Sequence, residues 1–196
     1  MKIGILSQIK EKNIAGINRV TMGTLTELLK LDQDNQYSFI GRTEWLSLPM
    51  ESIPLVPATD RMFSLNYLMM AHPLDIVHSH YRPFHVGSHF PCGKILTIHD
   101  LIPLIYPEWY GGQYDYYNEV IRQGAVEADV VVAVSEYTKQ DIVKYYGIPE
   151  EKIKVVYNGL FPSKLFGKDA VGEAVTGLEK VDFLLSVSGV GPHKNQ

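Results

Sequence analysis

Short runs of apolar and β-branched residues, at 2–7, 37–40, 75–78, 94–98, 129–134 and 152–156, constrain this chain more than any other feature. A strand buried on both faces reads this way, because a parallel sheet covered by helices leaves neither face to water. Helical patterns fill several of the intervals. From Ile17, apolar residues at Ile17, Val20, Leu25, Leu28 and Leu31 fit one helical face, and Tyr117, Val120, Ile121 and Ala125 form a stripe within 113–128. Ser135 is placed to cap a third helix with Glu136 in its first turn, and Gly147 followed by Ile148-Pro149 ends it. A shorter helix is expected over 61–71, and 49–57 reads as a Pro-punctuated connection. The alternation predicts an α/β fold, a Rossmann-like parallel sheet with helices on both faces.

The character changes after Phe161-Pro162. Residues 167–177 are small and polar, 181–187 form a new apolar run, and Ser188 to Asn195 opens a glycine-rich turn. The expected organisation is a domain at 1–165, a linker at 166–180, and at 181–196 the first strand and turn of a second α/β domain that is cut short. The 196 residues carry a net charge of −4 with Lys and Arg scattered, which argues against a nucleic-acid partner. Cys92 is the only cysteine, so no internal disulfide is available and no oxidising compartment is indicated. The N-terminus enters a strand at once with no signal-peptide pattern, and no apolar run approaches the ~20 residues of a bilayer span. A cytoplasmic location is expected. The clusters at 9–12 and 63–70 are the segments that could touch a membrane surface.

The run Thr97-Ile98-His99-Asp100 carries the best lead to chemistry. It sets two ionisable residues where an open α/β sheet presents its strand ends to a ligand. His99 could act as acid, base or neutral hydrogen-bonding group near physiological pH, or be satisfied by a backbone carbonyl. Asp100 could orient it, bind a hydroxylated ligand or cap the Pro-broken apolar loop at 101–104. Six of the seven histidines lie between 72 and 99, and His78 and His80 share a face if their strand extends that far. No acidic or cysteine ligand stands at helical spacing, so no metal site is expected. Gly16 opens the first helix, where a glycine lets a ligand approach the backbone and a helix N-terminus favours anionic groups. The three-glycine dinucleotide fingerprint is absent from Ala15-Gly16-Ile17-Asn18-Arg19.

Together these segments resemble the N-terminal half of GT-B glycosyltransferases, in particular glycosyltransferase family 4. The resemblance rests on Asp75-Ile76-Val77-His78-Ser79-His80, on Thr97 through Pro103, and on Ala128-Asp129 through Val134-Ser135-Glu136. Val155-Val156-Tyr157-Asn158-Gly159, the Gly16 loop and Ser188–Asn195 complete it. It implies a retaining, metal-free and cofactor-free transfer of a sugar from a nucleotide-sugar to a glycan or lipid-linked acceptor, in cell-surface polysaccharide synthesis. By the same resemblance His99 and Asp100 are catalytic, and Gly16, Asn18 and Arg19 form an acceptor and phosphate loop. Lys194 and His193 would meet the donor diphosphate, with His193 standing where arginine is common. The family's pair of C-terminal glutamates has no counterpart before the chain ends. The donor-binding domain is thus a missing partner, and this chain alone is expected to be inactive. Two alternatives remain, a non-catalytic glycan- or nucleotide-binding module and a GT-B-shaped epimerase.

Overall fold

The computed structural model describes residues 1–6, 16–41, 51–54, 72–80, 91–159 and 182. The chain divides into two compact units, Met1–Gly159 and Leu160–Gln196. The sheet belongs to the first. Within the second, only Asp182 is among the described residues, so the expected linker, the strand at 181–187 and the turn after it lie outside them. The helix expected at 61–71 and the surface segments at 9–12 and 63–70 lie outside them too.

The elements are β1 (Lys2–Leu6), α1 (Ile17–Leu31), β2 (Gln36–Gly41), β3 (Glu51–Pro54), β4 (Ile76–Ser79) and β5 (Gly93–Ile98). Two single-turn helices follow, α2 (Ile102–Ile105) and α3 (Pro107–Tyr110). Helix α4 runs from Gln113–Asp115 through a π-helical stretch, Tyr116–Ile121, into Arg122–Glu127. After β6 (Val130–Ala133), α5 begins as Glu136–Asp141 and continues π-helically over Ile142–Tyr146; a 3₁₀ turn then leads into β7 (Ile153–Val155).

The seven strands are ordered β3-β2-β1-β4-β5-β6-β7, and every neighbouring pair is parallel. The chain winds outward from β1 to β3, returns to set β4 beside β1, then winds the other way to β7. The order therefore reverses between β1 and β4, and the crevice at the C-terminal ends of those strands is where such sheets take ligands.

Register assigns the faces. Ile5 pairs with His78 and His78 with Ile95, so these side chains and Thr97, two residues on, share one face. Helix α1 covers it through Leu25, packed with Ile5, Tyr37 and Phe39. The opposite face presents Leu96, Val131 and Ile153 to Ile121, Ala125 and Ile142 of α4 and α5. Both faces are covered, as the apolar runs require.

One device is used twice at the N-terminal ends of the strands. Asp75 accepts the backbone N–H of Lys2 on Oδ2 at 2.7 Å, and Asp129 accepts that of Lys94 in the same way at 2.7 Å. Each aspartate thus ties the start of its own strand to the start of its neighbour.

Several expectations need correction. The Pro-punctuated segment contains β3, which the sheet tolerates because it is an edge strand and Pro54 closes it. The loop expected at 101–104 forms α2, with its proline in the first turn, where the missing N–H is not needed. Leu31 is 82% exposed. At 3.6 residues per turn it lies about 120° from Leu25, while Thr21, about 40° away, takes the buried position. Thr21 is tolerated there because its Oγ1 donates to the Ile17 carbonyl at 2.9 Å. The stripe on α4 holds at Tyr117, Ile121 and Ala125. Among the described residues no helix is long and apolar enough to cross a membrane.

Candidate functional site

At the C-terminal ends of β4 and β5, next to the reversal, the alternation of the strands carries past their last paired residues. His80 and His99 therefore follow His78 and Thr97 onto the α1 face. The His78 and His80 rings stack with centroids 4.2 Å apart. His78 Nε2 lies 2.8 Å from Thr97 Oγ1. His80 is buried, its backbone N–H reaches the Leu6 carbonyl of β1 at 3.5 Å, and its Nδ1 has no hydrogen-bond partner among the described residues.

His99 Nε2 lies 3.0 Å from the His80 carbonyl. A carbonyl oxygen only accepts, so Nε2 carries the proton and donates it. Neutral His99 is then left with a lone pair on Nδ1. On its other side, Thr138 Oγ1 donates to the His99 backbone carbonyl at 3.3 Å. Thr138 is in turn held by Ser135, whose Oγ accepts the Thr138 N–H at 3.1 Å and caps α5 as its sequence suggested. The His99 backbone is thereby tied to one helix and its ring to the neighbouring strand.

Burial keeps all three imidazoles uncharged at neutral pH. It pushes His78 down to about 4. His80 falls to about 3, first through burial and then through the proximity of His78 and His99. His99 is lowered by burial, an effect opposed by its bond to the His80 carbonyl and by the charge of Asp100. The group can therefore donate and accept hydrogen bonds but contributes no positive charge.

Asp100 takes one of the three roles left open for it. Its Oδ1 accepts the N–H of Ile102 at 3.1 Å and caps the turn into α2, while the His99 ring bonds the His80 carbonyl. Gly16 is the N-cap of α1 at φ 52° and ψ −117°, a conformation that needs glycine. It is exposed, and nothing lies within 4 Å of where a Cβ would stand. Its carbonyl accepts the N–H groups of Arg19 and Val20; among the described residues no side chain caps the helix, and its first turn holds no acid. The helix dipole at that end is thus left without a counter-charge from its own first turn. Arg19 is exposed. The side chain of Asn18 and the whole of His193 and Lys194 lie outside the described residues. Among the described residues no three His, Cys, Asp or Glu side chains converge as metal ligands.

The structure adds partners that side-chain reading missed. Thr97 could have been found, since strand alternation puts it on the face of His99. Thr138 could not, because its link to His99 runs through a main-chain carbonyl and a distant helix.

Comparison with known proteins bears on the family and the fold. A family model described as Glycosyltransferase Family 4 matches residues 33–164. The O-antigen chain mannosyltransferase RfbU of Salmonella typhimurium (strain LT2) is 31% identical over 102 residues, which are 52% of this chain and 26% of that protein. Among solved structures, the wall teichoic acid polymerase TagF superimposes with a TM-score of 0.53 at 13% identity, covering 79% of this chain and 38% of that one. The likeness to TagF is one of fold. This chain spans well under half the length of either relative.

Proposed function

Because this chain belongs to glycosyltransferase family 4, we propose that it is the acceptor-side domain of a retaining, metal-independent hexosyltransferase. The donor is a nucleotide-sugar. The acceptor is a hydroxyl of a glycan or lipid-linked glycan, assembled into cell-surface polysaccharide at the inner face of the membrane. The identity shared with an O-antigen mannosyltransferase supports that setting. The donor-binding domain would lie beyond Gln196, in keeping with the 26% of RfbU that the match covers.

The observation that carries this reading is the bond from His99 to the His80 carbonyl beside the strand reversal. In the reaction, the bond from the anomeric carbon to the diphosphate oxygen breaks, and its electron pair leaves with the nucleoside diphosphate. The new bond comes from an acceptor hydroxyl oxygen on the same face of the sugar, whose proton passes to the departing diphosphate oxygen. An uncharged His99 cannot offset charge on the leaving diphosphate. Its part is to accept a hydrogen bond from a donor-sugar hydroxyl on Nδ1 and so hold the anomeric carbon with its diphosphate face towards the acceptor hydroxyl. Asp100 fixes the turn that follows. The phosphate charge falls to the α1 N-terminus opened by Gly16, with Asn18 and Arg19, and to His193 and Lys194.

The test is a donor screen. The full-length protein is assayed with UDP-, GDP- and dTDP-hexoses on a lipid-linked acceptor, and the 196-residue chain is assayed in parallel. Turnover by the first and none by the second is expected. Failure of the full-length protein with every donor would overturn the transferase reading, and transfer by the short chain would overturn the division of labour.

A further inference from the structure

Beyond His99 the chain builds a second feature that the transfer chemistry does not use. The rings of Tyr106 and Trp109 are stacked, with centroids 4.3 Å apart and planes 9° from parallel. They are 42% and 40% exposed, and Tyr114 nearby is 38% exposed. Large aromatic side chains that stack on each other in water rather than in a core leave a broad apolar surface unused.

The backbone holds the pair ready. Tyr106 is the N-cap of α3, Pro107 fixes the first helical residue, and the Trp109 N–H returns to the Tyr106 carbonyl at 3.1 Å. One helical turn therefore sets the two rings side by side. Gly111, at φ 52° with open space where a Cβ would be, then swings the chain into α4. A ligand meeting this surface would find two stiff side chains already ordered, which lowers the entropy cost of binding.

Charge narrows the ligand. No Lys or Arg occurs between Lys94 and Arg122, while Asp100, Glu108, Asp115 and Glu119 all fall in that stretch. Such a stretch of chain offers no cation of its own to an anionic lipid headgroup or to the diphosphate of a nucleotide. It suits an uncharged polyol. The face of a pyranose offers weakly positive C–H groups to the negative faces of the rings, and its hydroxyls donate to carboxylates. The feature is also continuous with the candidate site, since α2 and α3 leave the end of β5 directly after His99 and Asp100. Tyr110, beside Trp109, has its phenol pushed up by desolvation and then by the charge of Asp100.

We propose that Tyr106 and Trp109 form a sugar-stacking subsite that holds a pyranose ring of an uncharged acceptor glycan, with Glu108 and Asp115 accepting from its hydroxyls. This rests on the transferase reading above and names the part of the acceptor that this domain grips. The probes are uncharged manno-, gluco-, galacto- and rhamno-oligosaccharides, titrated into this chain by calorimetry with saturation-transfer NMR. At least one is expected to bind. Its Kd should rise tenfold or more in Tyr106→Ala and Trp109→Ala and stay within about threefold in Trp109→Phe, with circular dichroism unchanged throughout. The proposal is overturned if no oligosaccharide binds, or if binding is indifferent to both alanine variants. It is equally overturned if Trp109→Ala abolishes sedimentation with phosphatidylglycerol vesicles or binding of UDP instead. The same variants in the full-length protein separate the two readings: turnover with an unchanged acceptor KM sinks the subsite alone. Absence of turnover with any donor sinks the transferase reading and leaves the binding result to decide the subsite.

Discussion

His99 donates from Nε2 to the main-chain carbonyl of His80 across 3.0 Å, and so the tautomer of one histidine is set by the backbone of another. Because the acceptor is main chain, it survives any substitution at position 80. His99→Ala in the full-length protein should lower kcat/KM about a hundredfold, the scale of losing one well-placed polar group at a reacting centre. The loss should fall mainly on kcat, while His80→Leu should keep most of the activity. Nitrogen-15 NMR of the His99 ring should show the proton on Nε2. An unchanged kcat/KM in His99→Ala with the fold intact would remove His99 from the reaction.

The buried, unpartnered Nδ1 of His80 gives a second expectation. His80→Leu removes that atom in a side chain of similar size. It should leave stability unchanged or raise it by about 1 kcal/mol in urea unfolding, since an unsatisfied buried polar group costs about 1–3 kcal/mol. The pH dependence follows in sign. With His78 held at about 4 and His80 at about 3, the unfolded chain, with histidines near 6.5, binds more protons than the folded one below that pH. Stability is therefore full above about pH 6.5 and falls as the pH drops towards 4, at roughly 1.4 kcal/mol per unit for each such group. The urea midpoint should decline between pH 7 and pH 5, and less steeply in His80→Leu. A midpoint that is flat over that range would show that these rings do not titrate on unfolding as described.

Among the described site residues, Gly16 is the one whose backbone conformation demands its residue type. Its φ of 52° with ψ of −117° is open to glycine and strained for anything else, although space for a methyl exists. Gly16→Ala should cost about 1–2 kcal/mol of stability through that strain. In the full-length protein it should raise KM for the substrates of the proposed transfer as the start of α1 is re-aimed. Wild-type thermal stability and KM in this variant would show that the turn has no such role.

Tyr146 donates its buried hydroxyl to the Tyr117 carbonyl at 2.7 Å and joins the π-helical stretches of α4 and α5. Tyr146→Phe deletes only that hydroxyl, and unfolding should become easier by about 1–2 kcal/mol. Activity should change little, since the bond lies on the face of the sheet opposite the histidines. A neutral effect in chemical denaturation would mean that water replaces the hydroxyl.

The parts of this fold that were legible in the sequence are those where burial dictates residue type. Residues 94–98 and 129–134 could be read as strands because central parallel strands must be apolar on both faces. Edge strand β3 could not, because one side of it pairs with no described strand and its proline costs little there. Nor could the π-helical stretch at Tyr116–Ile121, since the four-residue spacing of Tyr117, Ile121 and Ala125 reads equally as an α-helical stripe. In the site, alternation foretold that His78 and His80 would share a face. It could not foretell that the partner of His99 is a carbonyl, because every residue carries one.

The seam between β1 and β4 bears on how the domain comes to exist. Every other neighbouring pair in the sheet is brought together by a shorter stretch of chain than the one separating Ile3 from Ile76. Each winding half can therefore form by nearby crossovers, and zipping the halves together carries the largest loop-closure cost. His80 sits on that seam, bonded back to Leu6, so the histidine cluster meets the half of the sheet that carries Gly16 only when the last join is made. Pulse-labelled hydrogen exchange during refolding should find the Val77 and His80 amides protected after those of Val131 and Ala133. Earlier protection at the seam would reverse the order. If the order holds, a chain stalled halfway has no assembled crevice to offer, and the proposed chemistry waits on finished folding.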